Sequence, residues 1–379
     1  MALIDLIAGA RPNFMKIAPI IRAIREMKQS GTSLPYRLVH TGQHYDARMS
    51  ADFFAQLGIP EPDVNLEVGS GTQAEQTSAI MLGYERLLLE QASDLCLVVG
   101  DVNSTMACSI TARKMGVKVA HVEGGLRSND WEMPEEINRV VTDAVTNYFF
   151  TTSETANENL RRAGVGEERI FFVGNTMIDT LLSNMDRLRP PSFWDDLGLK
   201  PQEYVVLTLH RPRNVDGLKN LQAMLTAIGD GCRNRTVVFP VHPRTRKTMQ
   251  ALSDIPGNFE LVEPQPYLEF NYLVKHAKAV ITDSGGITEE TTVMGVPCLT
   301  LRDSTERPET VTVGTNVLVG TDPARVRPSL DRLFAGEWQK GSIPDKWDGK
   351  AAERIVAVLR QLCRPSSGTA ASSAGLVPP

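Results

Sequence analysis

The chain has 379 residues, is 42% hydrophobic and 22% charged, and carries a net charge of −5. This length exceeds one ordinary core and predicts two domains of about 150–200 residues each. The acidic balance excludes the basic footprint of a nucleic-acid-binding protein, so any site for an anion must be local.

In chain order, short apolar runs alternate with helical periodicity. Residues 3–8 predict a buried strand; this start has no basic n-region and carries Asp5, so it does not read as a signal peptide. Met15, Ile20, Ile21, Ile24 and Met27 then recur at helical spacing. Residues 36–40 predict a strand ending in Thr41-Gly42-Gln43-His44. A strand over 95–100 ends at Asp101, a helix follows over 104–115, and a strand over 118–122 ends at Glu123. Strands at 148–151 and 170–173 complete the first half. The alternation resumes at 204–209, ending at His210; at 236–241, ending at His242; at 278–282, ending at Asp283; and at 298–301, ending at Arg302.

This pattern predicts an α/β chain of two Rossmann-like domains, with parallel sheets covered by helices and facing a cleft. The first domain is expected over 1–174 and the second over 175–351, with a helix at about 352–363 placed to pack back on the first. Residues 365–379, rich in Ser, Ala, Gly and Pro, predict a disordered tail. No apolar stretch approaches the ~20 residues of a membrane span. Five cysteines at 96, 108, 232, 298 and 363 form no Cys-x-x-Cys pair, which suits reduced thiols in a cytoplasmic protein rather than a disulfide framework or zinc knuckle.

The polar residues cluster after strand C-termini, the edge at which open α/β sheets bind ligands. Arg11 and Lys16 flank the Gly/Pro loop after the first strand; they suit a diphosphate, or are ordinary surface cations. Neither a Walker A sequence nor Gly-x-Gly-x-x-Gly is present. Ser284, Gly285 and Gly286 join a strand to a helix, where free N–H groups can hold phosphate and Glu290, one turn on, suits ribose hydroxyls; a plain capped helix would look the same. Arg307 lies in a charged loop after the next strand. His210 is followed by Arg211 and Arg213, which suits an anionic ligand.

Asp101, Glu123 and Glu135 form a carboxylate set. The first two end strands, and the third begins a helix after Pro134, where an acid also favours the helix dipole. Clustered carboxylates raise one another's pKa, which acid/base chemistry at carbon requires. The same oxygens could bind a divalent metal, with His121 and His44 nearby.

Gly9-x-Arg11-Pro12-x-x-x-Lys16, Thr41-Gly42-Gln43-His44, Gly100-Asp101, His121-x-Glu123-x-Gly125-x-Arg127, Pro134-Glu135-Glu136-x-Asn138-Arg139, His210-Arg211, Asp283-Ser284-Gly285-Gly286-x-x-Glu289-Glu290 and Arg302-x-x-x-Glu306-Arg307-Pro308-Glu309 occur in this order. Together they resemble the non-hydrolysing UDP-N-acetylglucosamine 2-epimerases, over about residues 3–320. The resemblance implies a GT-B-like fold with UDP-N-acetylglucosamine in the interdomain cleft. It also implies reversible conversion to UDP-N-acetylmannosamine by elimination and re-addition of UDP through a 2-acetamidoglucal, feeding cell-surface polysaccharide synthesis. It implies a homodimer and no metal or redox cofactor. By the match, Asp101, Glu123, Glu135 and His210 are catalytic. Arg11, Lys16, Ser284, Gly285, Gly286 and Arg307 serve the phosphates or sugar, Glu290 the ribose, and Gln265 and Phe270 the uracil.

There are departures from the family pattern. Ala10, Asn13 and Gly124 differ from the commonest residues. Gln43, His44, Gln73 and His242 match a second, activating UDP-N-acetylglucosamine site, but Asp46 and Thr72 stand where that site has Gln and Arg. A hydrolysing 2-epimerase would show Gly-Asp-Arg-x-Glu, against Gly100-Asp101-Val102-Asn103-Ser104 here. The same chemistry on another UDP-2-acetamido sugar competes with this reading. So do a GT-B glycosyltransferase and a non-enzymatic nucleotide-sugar binder, against both of which the carboxylate set argues.

Overall fold

Thirteen strands in two parallel sheets organise the computed structural model, which describes residues 2–29, 31, 33–42, 54, 56–241, 243–252 and 254–363. Gln43, His44, Asp46, His242 and the expected tail at 365–379 lie outside the described residues.

The first sheet contains β1 (Ile4–Ala8), β2 (Tyr36–His40), β3 (Val64–Asn65), β4 (Leu95–Val99), β5 (Lys118–Val122), β6 (Tyr148–Thr151) and β7 (Ile170–Phe172), in the order β3-β2-β1-β4-β5-β6-β7. The second contains β8 (Val205–Thr208), β9 (Val237–Pro240), β10 (Phe259–Val262), β11 (Ala279–Thr282), β12 (Cys298–Thr300) and β13 (Asn316–Leu318), in the order β10-β9-β8-β11-β12-β13. Every residue of β1, β4 and β11 is buried, as continuous apolar strands covered on both faces must be.

The helices that position the site are α1 (Arg11–Gln29), α2 (Gln73–Glu90), α3 (Asn103–Lys114), α4 (Pro134–Val145), α5 (Thr176–Asn184), α6 (Tyr267–His276), α7 (Gly285–Met294) and α8 (Ala351–Leu362). Helix α1 buries Phe14, Ile17, Ile20, Ile21 and Ile24, an i, i+3, i+4 stripe, against the first sheet. The last helix returns to this core: Ala352, Ile355, Val356 and Leu359 pack in the same cluster as Ile4 and Ile17. Asp179 on α5 accepts the Ala351 and Ala352 amides at 3.1 and 2.6 Å, capping α8. Helix α5 also packs on α1 and on α7, so it touches elements of both sheets.

The strand order reverses between β1 and β4, and between β8 and β11. Ligands of open α/β sheets bind outside the carboxyl ends of strands at such switch points. Residues 9–16 and 100–101 follow β1 and β4, while 209–211 and 283–286 follow β8 and β11. Among the described residues, no helix is long and apolar enough to cross a membrane, and all five cysteines are free, four of them buried.

Candidate active site

A cleft of about 580 Å³ opens between the two switch points. Its walls include Arg11, Lys16, Asp101 and Glu135 on one side. His210, Gln265, Phe270, Ser284, Gly285, Gly286, Glu290 and Arg307 line the other.

Glu123 is not among the lining residues. It is 2% exposed and lies beneath the floor. Its backbone follows β5 with φ +73°, the left-handed region that non-glycine residues adopt only where their surroundings enforce it. Its carboxylate is ion-paired: Glu123 Oε2 accepts from Lys16 Nζ at 2.7 Å and from Arg307 Nη2 at 3.0 Å. Burial alone would raise the Glu123 pKa, but the two cations hold it below the ordinary value. Among the described residues, Glu123 Oε1 has no hydrogen-bond partner. Arg307 also pairs with Glu289, so one guanidinium ties the end of β5 to the first turns of α7. Burial raises the Glu289 pKa and Arg307 only partly offsets it.

Asp101 follows β4 and is held by Arg139, whose Nη2 donates to Asp101 Oδ2 at 2.5 Å. Arg139 Nη1 donates to Glu136 Oε2 at 2.7 Å, and Glu136 also accepts the Ser128 and Asn129 amides at 2.9 and 3.0 Å. The neighbouring acids of α4 therefore diverge. Glu136 fixes the 128–129 loop, while Glu135 is exposed in the cleft and makes no hydrogen bond or ion pair among the described residues. Asn138 Nδ2 donates to the Asp101 carbonyl at 2.8 Å. Sequence reasoning named Pro-Glu-Glu-x-Asn-Arg but missed Arg139 as the partner of Asp101; its place one turn after Glu135 on the same helix was the available signal.

On the opposite wall, His210 Nδ1 pairs with Asp283 Oδ1 at 2.7 Å, and among the described residues Nε2 has no partner. Asp283 also accepts the His210 and Arg211 amides and Asn214 Nδ2. Burial would raise the Asp283 pKa, but these donors hold it low. Sequence reasoning treated Asp283 only as the start of the Ser-Gly-Gly segment; it is the group that orients His210. Ser284 stands at the N-cap of α7, yet its hydroxyl makes no capping bond. The first amides of that helix are therefore suited to an anion. Glu290 is buried, accepts from Tyr267 Oη at 2.9 Å and Asn271 Nδ2 at 3.4 Å, and is pushed by burial up to about 7.

The arrangement sets His210 and the start of α7 opposite Asp101 and Glu135, with Arg11 and Lys16 beside those two carboxylates, which suits departure of an anionic leaving group coupled to proton movement. Among the described residues, no group of three or more His, Cys, Asp or Glu is arranged to hold a metal ion. His121, a metal ligand by residue type, is fully buried, with Nδ1 and Nε2 hydrogen-bonded to Asp143 and the Gly100 carbonyl, each at 2.8 Å.

Gln73 lies outside the cleft lining, at the start of α2, and accepts from Asn103 Nδ2 at 2.7 Å. Thr72 has a local role: with Glu75 it forms a capping box that starts α2.

The model of the UDP-N-acetylglucosamine 2-epimerase family matches residues 25–360. The chain is 39% identical to a UDP-N-acetylglucosamine 2-epimerase of Methanocaldococcus jannaschii, over 94% of this chain and 98% of that one. It is 38% identical to a UDP-2,3-diacetamido-2,3-dideoxy-D-glucuronate 2-epimerase of Pseudomonas aeruginosa, over 94% of this chain and 99% of that one. A crystal structure of the M. jannaschii enzyme with UDP-GlcNAc and UDP superposes with a TM-score of 0.84 at 38% identity, covering 95% of this chain and 99% of that one. The two-sheet architecture is thus GT-B-like.

Proposed function

Since the chain belongs to the UDP-N-acetylglucosamine 2-epimerase family and is an isomerase, we propose that it interconverts UDP-N-acetylglucosamine and UDP-N-acetylmannosamine by eliminating and re-adding UDP. One observation carries this reading. The uncapped start of α7 and His210 face Asp101 and Glu135 across a single cleft.

The C2 proton has no adjacent carbonyl in the ring to acidify it, so enolate chemistry is closed to this substrate. Loss of UDP offers another route: positive character develops at C1 and negative charge on the diphosphate. Arg11, Lys16, His210, the Ser284 hydroxyl and the amides of Gly285 and Gly286 hold the diphosphate, while the Ser284 amide stays on Thr282 Oγ1 at 3.0 Å. Glu290 takes the ribose, and Gln265 and Phe270 the uracil. Inversion at C2 requires a proton to leave one face and return on the other. Asp101 and Glu135 reach the cleft from different elements, the end of β4 and the first turn of α4, as two such groups must. Glu123 supports the site from beneath by fixing Lys16 and Arg307.

The test is incubation with UDP-N-acetylglucosamine in deuterated water, followed by NMR, with the diacetamido uronate sugar nucleotide run in parallel. Deuterium at C2 of UDP-N-acetylmannosamine supports the proposal. Accumulation of free sugar assigns hydrolysis instead, dependence on an added acceptor assigns transfer, and turnover of the uronate alone reassigns the substrate.

A further inference from the structure

We propose that a second pocket, on the side of α1 beyond the cleft, is a binding site for a phosphoryl anion of inorganic pyrophosphate size. The pocket measures about 310 Å³ and lies between α1, the end of α5 and the chain at 57–58. Three guanidinium groups, Arg22, Arg25 and Arg187, line it, and among the described residues no carboxylate does.

Among the described residues, Arg22 and Arg25 make no hydrogen bond or ion pair. They stand at i and i+3 on α1, where like charges are neighbours about 5–6 Å apart at Cβ and destabilise the helix slightly. The third is pre-oriented: Arg187 Nη1 donates to Asn184 Oδ1 and to the Gln56 carbonyl, both at 2.8 Å. Asn184 is itself 2% exposed and fixed by its Nδ2, which donates to the Thr180 carbonyl at 2.8 Å. One guanidinium nitrogen of Arg187 is thus spent on the protein, and Nη2 and Nε remain for a ligand. The floor is apolar, with Ala18 at 4% and Leu57 at 6% exposed. A concave site with three guanidinium groups, one of them held by the protein, and no acid among the described lining residues suits phosphoryl oxygens, which the guanidinium fork matches in geometry as well as charge.

This pocket is separate from the cleft. Arg22 and Arg25 lie 6 and 9 residues after Lys16 on α1, a rise of about 9–14 Å along the helix. No residue lines both cavities.

The experiment is calorimetric titration of the full chain with inorganic pyrophosphate in saturating UDP, so that the cleft is already filled. Citrate is titrated separately as a carboxylate polyanion. The proposal predicts a single pyrophosphate site, at least tenfold weaker in the Arg22→Gln/Arg187→Gln variant and at least tenfold tighter than citrate. UDP affinity, measured on both proteins, should be unchanged by the substitutions, which shows that the variant is folded and its cleft intact. Absence of pyrophosphate binding at millimolar concentration, equal binding by the variant, or citrate binding as tightly as pyrophosphate would each overturn it.

Discussion

Replacing Glu290 by Gln should stabilise the unliganded protein, and the gain should depend on pH. Glu290 is 4% exposed and its pKa is pushed up to about 7 by burial, against 4.5 for an ordinary Glu. A raised carboxyl pKa means that the folded state holds its proton more tightly than the unfolded state. Stability from this group is therefore present below pH 4.5, falls as pH rises, and is lost once pH passes about 7. Each tenfold change in proton affinity is about 1.4 kcal/mol, so the full loss is about 3 kcal/mol. Gln does not titrate, and its side-chain oxygen can still accept the Tyr267 hydroxyl. Glu309, pushed by burial up to about 7, and Asp179, raised by burial to about 6, titrate in the same direction but cancel in a comparison of the two proteins. Thermal unfolding followed by circular dichroism at pH 5, 6, 7 and 8 measures the difference. At about 2–4 °C per kcal/mol for a domain of this size, the variant should gain about 6–12 °C over the wild type by pH 8 and far less at pH 5. A difference that does not grow between pH 5 and 8 would refute the reasoning.

Other substitutions have equally direct outcomes. Glu123→Gln leaves Lys16 and Arg307 buried against a neutral group and should cost about 3–5 kcal/mol in chemical denaturation. Gly125→Ala should cost at least about 2 kcal/mol, because its Cβ would lie 2.4 Å from the Ala156 carbonyl oxygen at a backbone φ of +83°. Asp179→Ala removes the acceptor for two amides of α8 and should cost about 1–2 kcal/mol, with faster amide exchange at the start of that helix. Asp101→Asn should abolish C2 exchange while leaving UDP affinity within about threefold, since Asp101 follows β4 on the wall opposite α7. Retained exchange would remove Asp101 from the proton chemistry.

The strands were legible because continuous apolar runs, buried on both faces, leave little choice of conformation. Residues at strand ends were legible for the same reason: once β4, β8 and β11 are placed, Asp101, His210 and Ser284 fall at the carboxyl edge. What escaped was side-chain direction and long-range pairing. Glu123 resembles Asp101 in sequence, each ending a strand, but its positive φ goes with a carboxyl beneath the cleft, where it pairs with Arg307, a residue 184 positions away. Nothing local to Glu123 announces that partner. Asp283 and Arg139 were visible inside motifs, yet their roles depend on contacts with His210 and Asp101 that only the assembled sheets create. Thr72, compared with an activator-site position, serves a need legible in Thr-x-x-Glu, the start of a helix.

The most direct test of elimination is positional isotope exchange. UDP-N-acetylglucosamine labelled with ¹⁸O in the bridge between C1 and the β-phosphorus is incubated with the enzyme and recovered. If UDP departs and returns, the freed β-phosphate can rotate, and the label scrambles into the non-bridging positions at a rate comparable to epimerisation. Epimerisation with deuterium uptake at C2 while the label stays in the bridge would contradict the account.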